Sequence, residues 1–251
     1  MIGLDVFREA FAACQGDYAL IGGAACYLHF TEIGEVFRVT KDLDIVLLSH
    51  EPDRRFAKTI AAFVNAGGYE PWARSTGQEH YYRFEKPSQP DYPVMLELFT
   101  DRSLTDELDE QGMLARVSSE EAVDKLSAIV LHPDYMELLT AGMISIDGIS
   151  IAEVECLIPF KAKAFLDLSR QKVAGNPIKG TDIKKHKNDI FKLSQLVRPD
   201  WNRPLSETIR DDMQAFILDM RNETIDLNAL KVQGGSQQEI LDLLGTLYGT
   251  A

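Results

Sequence analysis

Apolar residues in the first stretch of the chain fall at Leu4, Phe7, Phe11 and Cys14, steps of 3, 4 and 3 that trace one face of a helix. Tyr18-Ala19-Leu20-Ile21 is a short apolar run that predicts a strand. Gly22-Gly23 stops it, and a helix can restart over Ala24 to Phe30. Leu43-Asp44-Ile45-Val46-Leu47-Leu48 is β-rich and mostly apolar, the pattern of a central strand. Residues 53–66 read as a helix closed by Gly67-Gly68, a C-cap signal. Three strands are expected next, at 69–75, 80–85 and 94–100, with Gly77, Pro87, Pro90 and Pro93 supplying the turns.

The pattern then changes. Ser118 with Glu121 forms a capping-box signal ahead of the apolar residues Ala122, Val123, Leu126, Ile129 and Val130. Met143–Asp147 and Ile149–Ile151 flank Gly148 and predict a hairpin. From Pro159, a residue suited to the first turn of a helix, only helices are expected. One carries the stripe Ile209, Met213, Phe216, Ile217, Met220. A last one opens on Ser236 with Glu239 and carries Ile240, Leu243, Leu244 and Leu247. The chain therefore divides into an α+β part over 1–155 and a helical part over 156–251.

Composition narrows the class. With 45% hydrophobic and 26% charged residues the chain has enough apolar surface for a sizeable core, which excludes a disordered protein. No apolar run approaches the ~20 residues of a membrane span, so no membrane partner is expected. The first residues lack the basic start and apolar stretch of a signal peptide. Three scattered cysteines form neither a metal-ligand spacing nor a disulfide framework, and a reducing, cytoplasmic setting is the expectation. A net charge of −13 argues against a protein that coats nucleic acid non-specifically.

The chemistry concentrates in three places. A strand ending in Gly22-Gly23 and running into a helix exposes backbone N–H groups that can cradle a phosphate, although such a turn is more often only a turn. Asp42 and Asp44 stand at i and i+2, so both carboxylates share one strand face. Like charges placed so repel unless a cation lies between them, and Mg²⁺ favours a few carboxylates plus phosphate oxygens. Glu97 is the sole charge in Val94-Met95-Leu96-Glu97-Leu98-Phe99 and needs an exposed edge, a cation or a wet cleft. Three carboxylates beside a phosphate-binding turn would make a metal-assisted phosphoryl or nucleotidyl transfer site. Arg74, Tyr81, Tyr82 and Arg83 lie between the second and third carboxylates and could line it, or simply pack the sheet.

Strand, Gly-Gly turn, helix, D-x-D and a later third carboxylate together resemble the nucleotidyltransferase superfamily that includes DNA polymerase beta. The nearer likeness is to the AbiEii-like nucleotidyltransferases, toxins of abortive-infection systems. Arg38-Val39-Thr40-Lys41-Asp42-Leu43-Asp44 matches their R-x-[ST]-x-D-x-D pattern, and Lys161-Ala162-Lys163-Ala164 their later K-x-x-A. Lys185-His186-Lys187-Asn188-Asp189 resembles a third, basic and acidic helix, and the likeness spans roughly residues 15 to 195. The chain departs from the pattern at Ala24, where Ser or Thr is common, at Glu97, where Asp is common, and at His186, which takes an acidic place.

The resemblance implies a mixed sheet with flanking helices, followed by a C-terminal helical domain. It implies Gly22 and Gly23 on the triphosphate, with Arg38, Thr40, Lys161 and Lys185 as further nucleotide or phosphate contacts. Asp42 and Asp44 would hold Mg²⁺ or Mn²⁺, and Glu97 would bind a second metal or take the proton from an acceptor hydroxyl. Lys161 shares a helix face with Ala164, Phe165 and Leu168 and so needs a partner or a stem that snorkels to water, whereas Lys163 can pair with Asp167. The run Lys184-Lys185-His186-Lys187 is the densest positive cluster, either a solvated face or a place for phosphates. The expected activity moves an NMP from an NTP to a hydroxyl of tRNA, a protein or a small molecule, with a cognate antitoxin as a further partner. The alternative is a degenerate member that keeps the fold and binds without turnover.

Overall fold

The computed structural model describes residues 1–48, 55–73, 79–100 and 131–250. The helix expected after Ser118 lies outside them, as does Arg74. The fold is α+β, a mixed sheet with flanking helices followed in the chain by a helical unit, as expected. Two compact units are present, Met1–Ala152 and Glu153–Ala251.

The first unit opens with α1 (Leu4–Ala10), whose Leu4 and Phe7 are buried. The apolar periodicity continues to Cys14, but the chain tightens into a 3₁₀ turn at Ala12–Cys14. Strands β1 (Tyr18–Ile21), β2 (Asp42–Leu47), β3 (Glu70–Ala73), β4 (Glu79–Glu85), β5 (Met95–Phe99), β6 (Met143–Ile146) and β7 (Ile149–Ala152) form one sheet. Their order is β3-β4-β5-β2-β1-β7-β6. β2 runs parallel to β5 and β1 parallel to β7, while the other neighbours are antiparallel. The apolar run that marks β2 as central is honoured: Leu43, Ile45, Val46 and Leu47 are buried.

Among the described residues, this unit also holds the helices α2 (Gly22–Glu32), α3 (Arg55–Gly67) and α4 (Pro133–Ala141). Phe7 stacks on Phe11 with centroids 4.2 Å apart, and Phe63 of α3 and Tyr18 of β1 meet them edge-on. The predicted hairpin is β6–β7, turned by Asp147 and Gly148, both with positive φ (50° and 74°), the two-residue turn whose twist suits antiparallel strands.

The second unit contains α5 (Val154–Val173), α6 (Gly180–Leu193), α7 (Glu207–Arg221) and α8 (Gln237–Leu247). The α7 stripe is buried throughout, and Ser236 with Glu239 forms the expected capping box on α8. Pro159 is a correction: the helix starts at Val154, so the proline lies inside it rather than in its first turn. A proline cannot donate to the carbonyl four residues back, here that of Glu155. The Tyr248 hydroxyl donates to that carbonyl instead, at 2.9 Å, from a fully buried position. Tyr248→Phe should therefore strand a buried acceptor and cost about 1–3 kcal/mol. A lower urea midpoint with an unchanged m-value checks this, and an unchanged midpoint would refute it.

Glu153 and Glu155, both buried, begin this unit. Arg198 donates to both, and Trp201 Nε1 and Arg203 Nε each donate to Glu153 at 2.8 Å. Burial alone would raise the Glu153 pKa, but the bonds from Trp201, Arg198 and Arg203 together outweigh it and hold the carboxyl below its ordinary value. A depressed folded-state pKa contributes stability that is complete above the unfolded value, ~4.3, and drains as pH falls below it. Glu153→Gln should therefore flatten the loss of stability in acid, read as urea midpoints at successive pH values below about 5. A slope identical to that of the wild type would contradict it.

Candidate functional site

Gly22 carries φ +67°, which lets the chain turn from β1 into α2 in one step. The helix therefore starts at Gly22 rather than at Ala24, and both glycines belong to its first turn. Its N-cap is Ile21, which offers no side-chain hydrogen bond, and no acidic residue of its own sits in that turn. Such an N-terminus favours negative charge.

The neighbours of this turn are the residues singled out in the sequence. A Cβ on Gly22 would stand 1.7 Å from Asp44 Oδ2. A Cβ on Gly23 would stand 2.5 Å from Thr40 Oγ1 and 3.6 Å from Arg38 Nη2. Glycine leaves room for Asp44 and Thr40, so the two glycines, Thr40 and Asp44 form one cradle, with the Arg38 guanidinium beside it. Arg38, Thr40, Asp42 and Asp44 are all half-buried, the even-numbered face of the segment.

Register sets the third carboxylate at the strand position opposite Asp44. In the parallel β2–β5 pair Asp44 is opposite Glu97, and in the antiparallel β4–β5 pair Glu97 is opposite Arg83. Ile21 faces Asp44 on the other side. Residues paired across strands share a face, so Arg83, Glu97, Asp44 and Ile21 make one row across four strands, with Gly22 at its end. The Val94 N–H donates to the Lys41 carbonyl at 3.1 Å and pins β5 beside the start of β2. Neighbouring strands lie about 4.8 Å apart. Two unit charges about 5 Å apart repel by roughly 3 kcal/mol at an effective dielectric of 20, less where water screens them.

Arg83 offsets part of that repulsion. Its Nε donates to Glu97 Oε1 at 2.6 Å, and its Nη2 donates to the same oxygen. The sequence places Arg83 near the cleft, but its pairing with Glu97 depends on register, which no local signal reveals. Among the described residues, no group of three or more His, Cys, Asp or Glu side chains is arranged to hold a metal ion. Asp42 and Asp44 have the hard oxygen donors a divalent cation takes, beside a turn that suits phosphate. Glu97, as it stands, is turned to Arg83.

The two lysines lie in the helical unit. Lys161 is buried, and its partner is Asp189 of α6, at 2.9 Å. The carboxylate thus meets the need for a partner on that face. The expected Lys163–Asp167 pair forms at 3.1 Å. Lys185 is exposed, 3.9 Å from Asp182, and Lys187 pairs with Glu223, so part of the positive run is balanced by acidic neighbours. The three cysteines are buried and form no disulfide, and no helix among the described residues is long and apolar enough to cross a membrane.

No model of a known family matches the chain, and no curated protein does. Among solved structures, it is similar to an antigenic nucleotidyltransferase-like protein from Paracoccidioides brasiliensis, at 18% identity and a TM-score of 0.43, covering 94% of this chain and 93% of that one. It is also similar to the Megavirus polyadenylate synthase, at 12% identity and a TM-score of 0.40, covering 87% of this chain but 36% of the synthase. A third is JHP933 from Helicobacter pylori, at 14% identity and a TM-score of 0.41, covering 98% and 87%.

Proposed function

We propose that the protein is a metal-dependent nucleotidyltransferase that moves an NMP from an NTP to an acceptor hydroxyl. The observation that carries this reading is the contact of the Gly22 turn with Asp44, whose strand neighbour is Glu97. Gly22 and Gly23 N–H groups would bind phosphate oxygens at the positive end of α2, with Arg38 and Thr40 beside them. Asp42 and Asp44 would hold Mg²⁺ or Mn²⁺. When bound, such a cation neutralises phosphate oxygens and helps the leaving group depart. The acceptor oxygen bonds to the α-phosphorus, the bond from that phosphorus to the bridging oxygen breaks, and pyrophosphate leaves. Glu97 would take the acceptor proton or join a second cation. The acceptor classes are tRNA, a protein side chain or a small molecule in the cytoplasm. A toxin role with a cognate antitoxin belongs to the same reading.

The test is incubation with each labelled NTP, Mg²⁺ or Mn²⁺ and total tRNA, beside a protein-only control. Label transferred to RNA or protein, and dependent on Asp44, is the expected result. A second reading, a nucleotide-binding protein without turnover, is favoured by one observation: Glu97 is engaged by Arg83. NTP binding that needs Asp42 and Asp44, with no transfer to any acceptor, would select it.

A further inference from the structure

We propose that Arg83 is the resident counter-cation of Glu97, and that it competes with a divalent cation for that carboxylate. The inference rests on the reading of Asp42, Asp44 and Glu97 as one cation-binding face. Two nitrogens of Arg83 converge on one oxygen of Glu97, and the carboxylate is only 16% exposed. A carboxylate so placed, directly opposite Asp44, needs positive charge nearby at all times. Arg83 supplies it from the adjacent strand, at the register position opposite Glu97.

While both nitrogens of Arg83 hold Glu97, a divalent cation has Asp42 and Asp44, but not Glu97, to bind. Glu97 becomes a metal ligand only after Arg83 has left it. An incoming triphosphate provides both the added negative charge and an alternative partner for a guanidinium, which pairs well with phosphate oxygens. Arg83 is thus a positioning residue that acts through Glu97.

The experiment is Mn²⁺ titration of the nucleotide-free full chain, read as free Mn²⁺ by electron paramagnetic resonance. The variants are Arg83→Gln, Arg83→Lys, Glu97→Gln, Asp44→Asn and the double variant Arg83→Gln/Glu97→Gln. Arg83→Gln should bind Mn²⁺ at least about tenfold more tightly than the wild type, the order of a neighbouring charge's effect on a carboxylate. The gain should vanish in the double variant, since it works through Glu97. Arg83→Lys keeps the charge and should stay near the wild type. Glu97→Gln alone leaves the Arg83 charge uncompensated and should weaken Mn²⁺ binding by a similar factor, and this arm holds even if Arg83→Gln folds poorly. A merely structural role for Arg83 would lower the melting temperature without tightening Mn²⁺ binding. If the wild type binds Mn²⁺ through Asp44 while Arg83→Gln binds no more tightly, the counter-cation role is overturned and the site stands. If no protein in the set binds Mn²⁺, the site reading falls and takes this inference with it.

Discussion

Asp42→Asn combined with Asp44→Asn is expected to abolish both the rise in melting temperature caused by Mg²⁺–NTP and any nucleotidyl transfer. A ligand at 100 times its dissociation constant stabilises the folded state by about 2.7 kcal/mol. In a chain of this size that corresponds to a shift of several degrees. The double variant removes two charges and keeps the side-chain volumes, so its fold should survive. It also relieves the repulsion between Asp44 and Glu97, and its melting temperature without ligand is the baseline for the shift. Loss of the ligand-induced shift would then report the site and not the scaffold. A variant that still gains the full shift would move the nucleotide site away from the Gly22 turn.

Lys161→Met should be among the most damaging single changes for stability. It leaves Asp189 buried without its ammonium partner, a loss that typically costs about 3–5 kcal/mol when a buried pair is broken from one side. Lys161→Met/Asp189→Leu, which removes both charges, should recover most of it, because buried ion pairs often add little over apolar packing. Chemical unfolding of the three proteins checks the prediction. Equal damage in the single and double variants would show that the pair is not what Lys161 contributes. NTP affinity measured on the double variant bears on the other role expected of Lys161. An intact fold with weakened binding would assign it to phosphate, and intact binding would confine it to holding α5 against α6.

Much of this fold can be read from spacing alone. The α7 stripe, the Ser236–Glu239 capping box, the Asp147-Gly148 hairpin turn and the shared face of Asp42 and Asp44 depend on residues within a few positions of one another. Backbone geometry imposes those relations wherever the segment lies. The same locality explains the errors. Pro159 looks like a helix start because a proline inside a helix strands a carbonyl, and the residue that satisfies that carbonyl, Tyr248, lies 93 positions from Glu155. The helix after β1 begins at Gly22 because a positive φ there makes a separate loop unnecessary.

The candidate site divides along the same line. By itself the chain determines the residue types: two glycines after a strand, an Arg-x-Thr-x-Asp-x-Asp alternation, and a lone glutamate in an apolar run. Only the tertiary structure decides which of them meet. Strand order places β5 between β4 and β2, and that order, not any spacing, puts Glu97 between Arg83 and Asp44. Packing of α5 against α6 likewise gives Lys161 a carboxylate 28 residues away as its partner. The physical reason is that a side chain's face follows from its own backbone, whereas its charge partner follows from pairing between distant segments. Burial of the apolar faces selects that pairing.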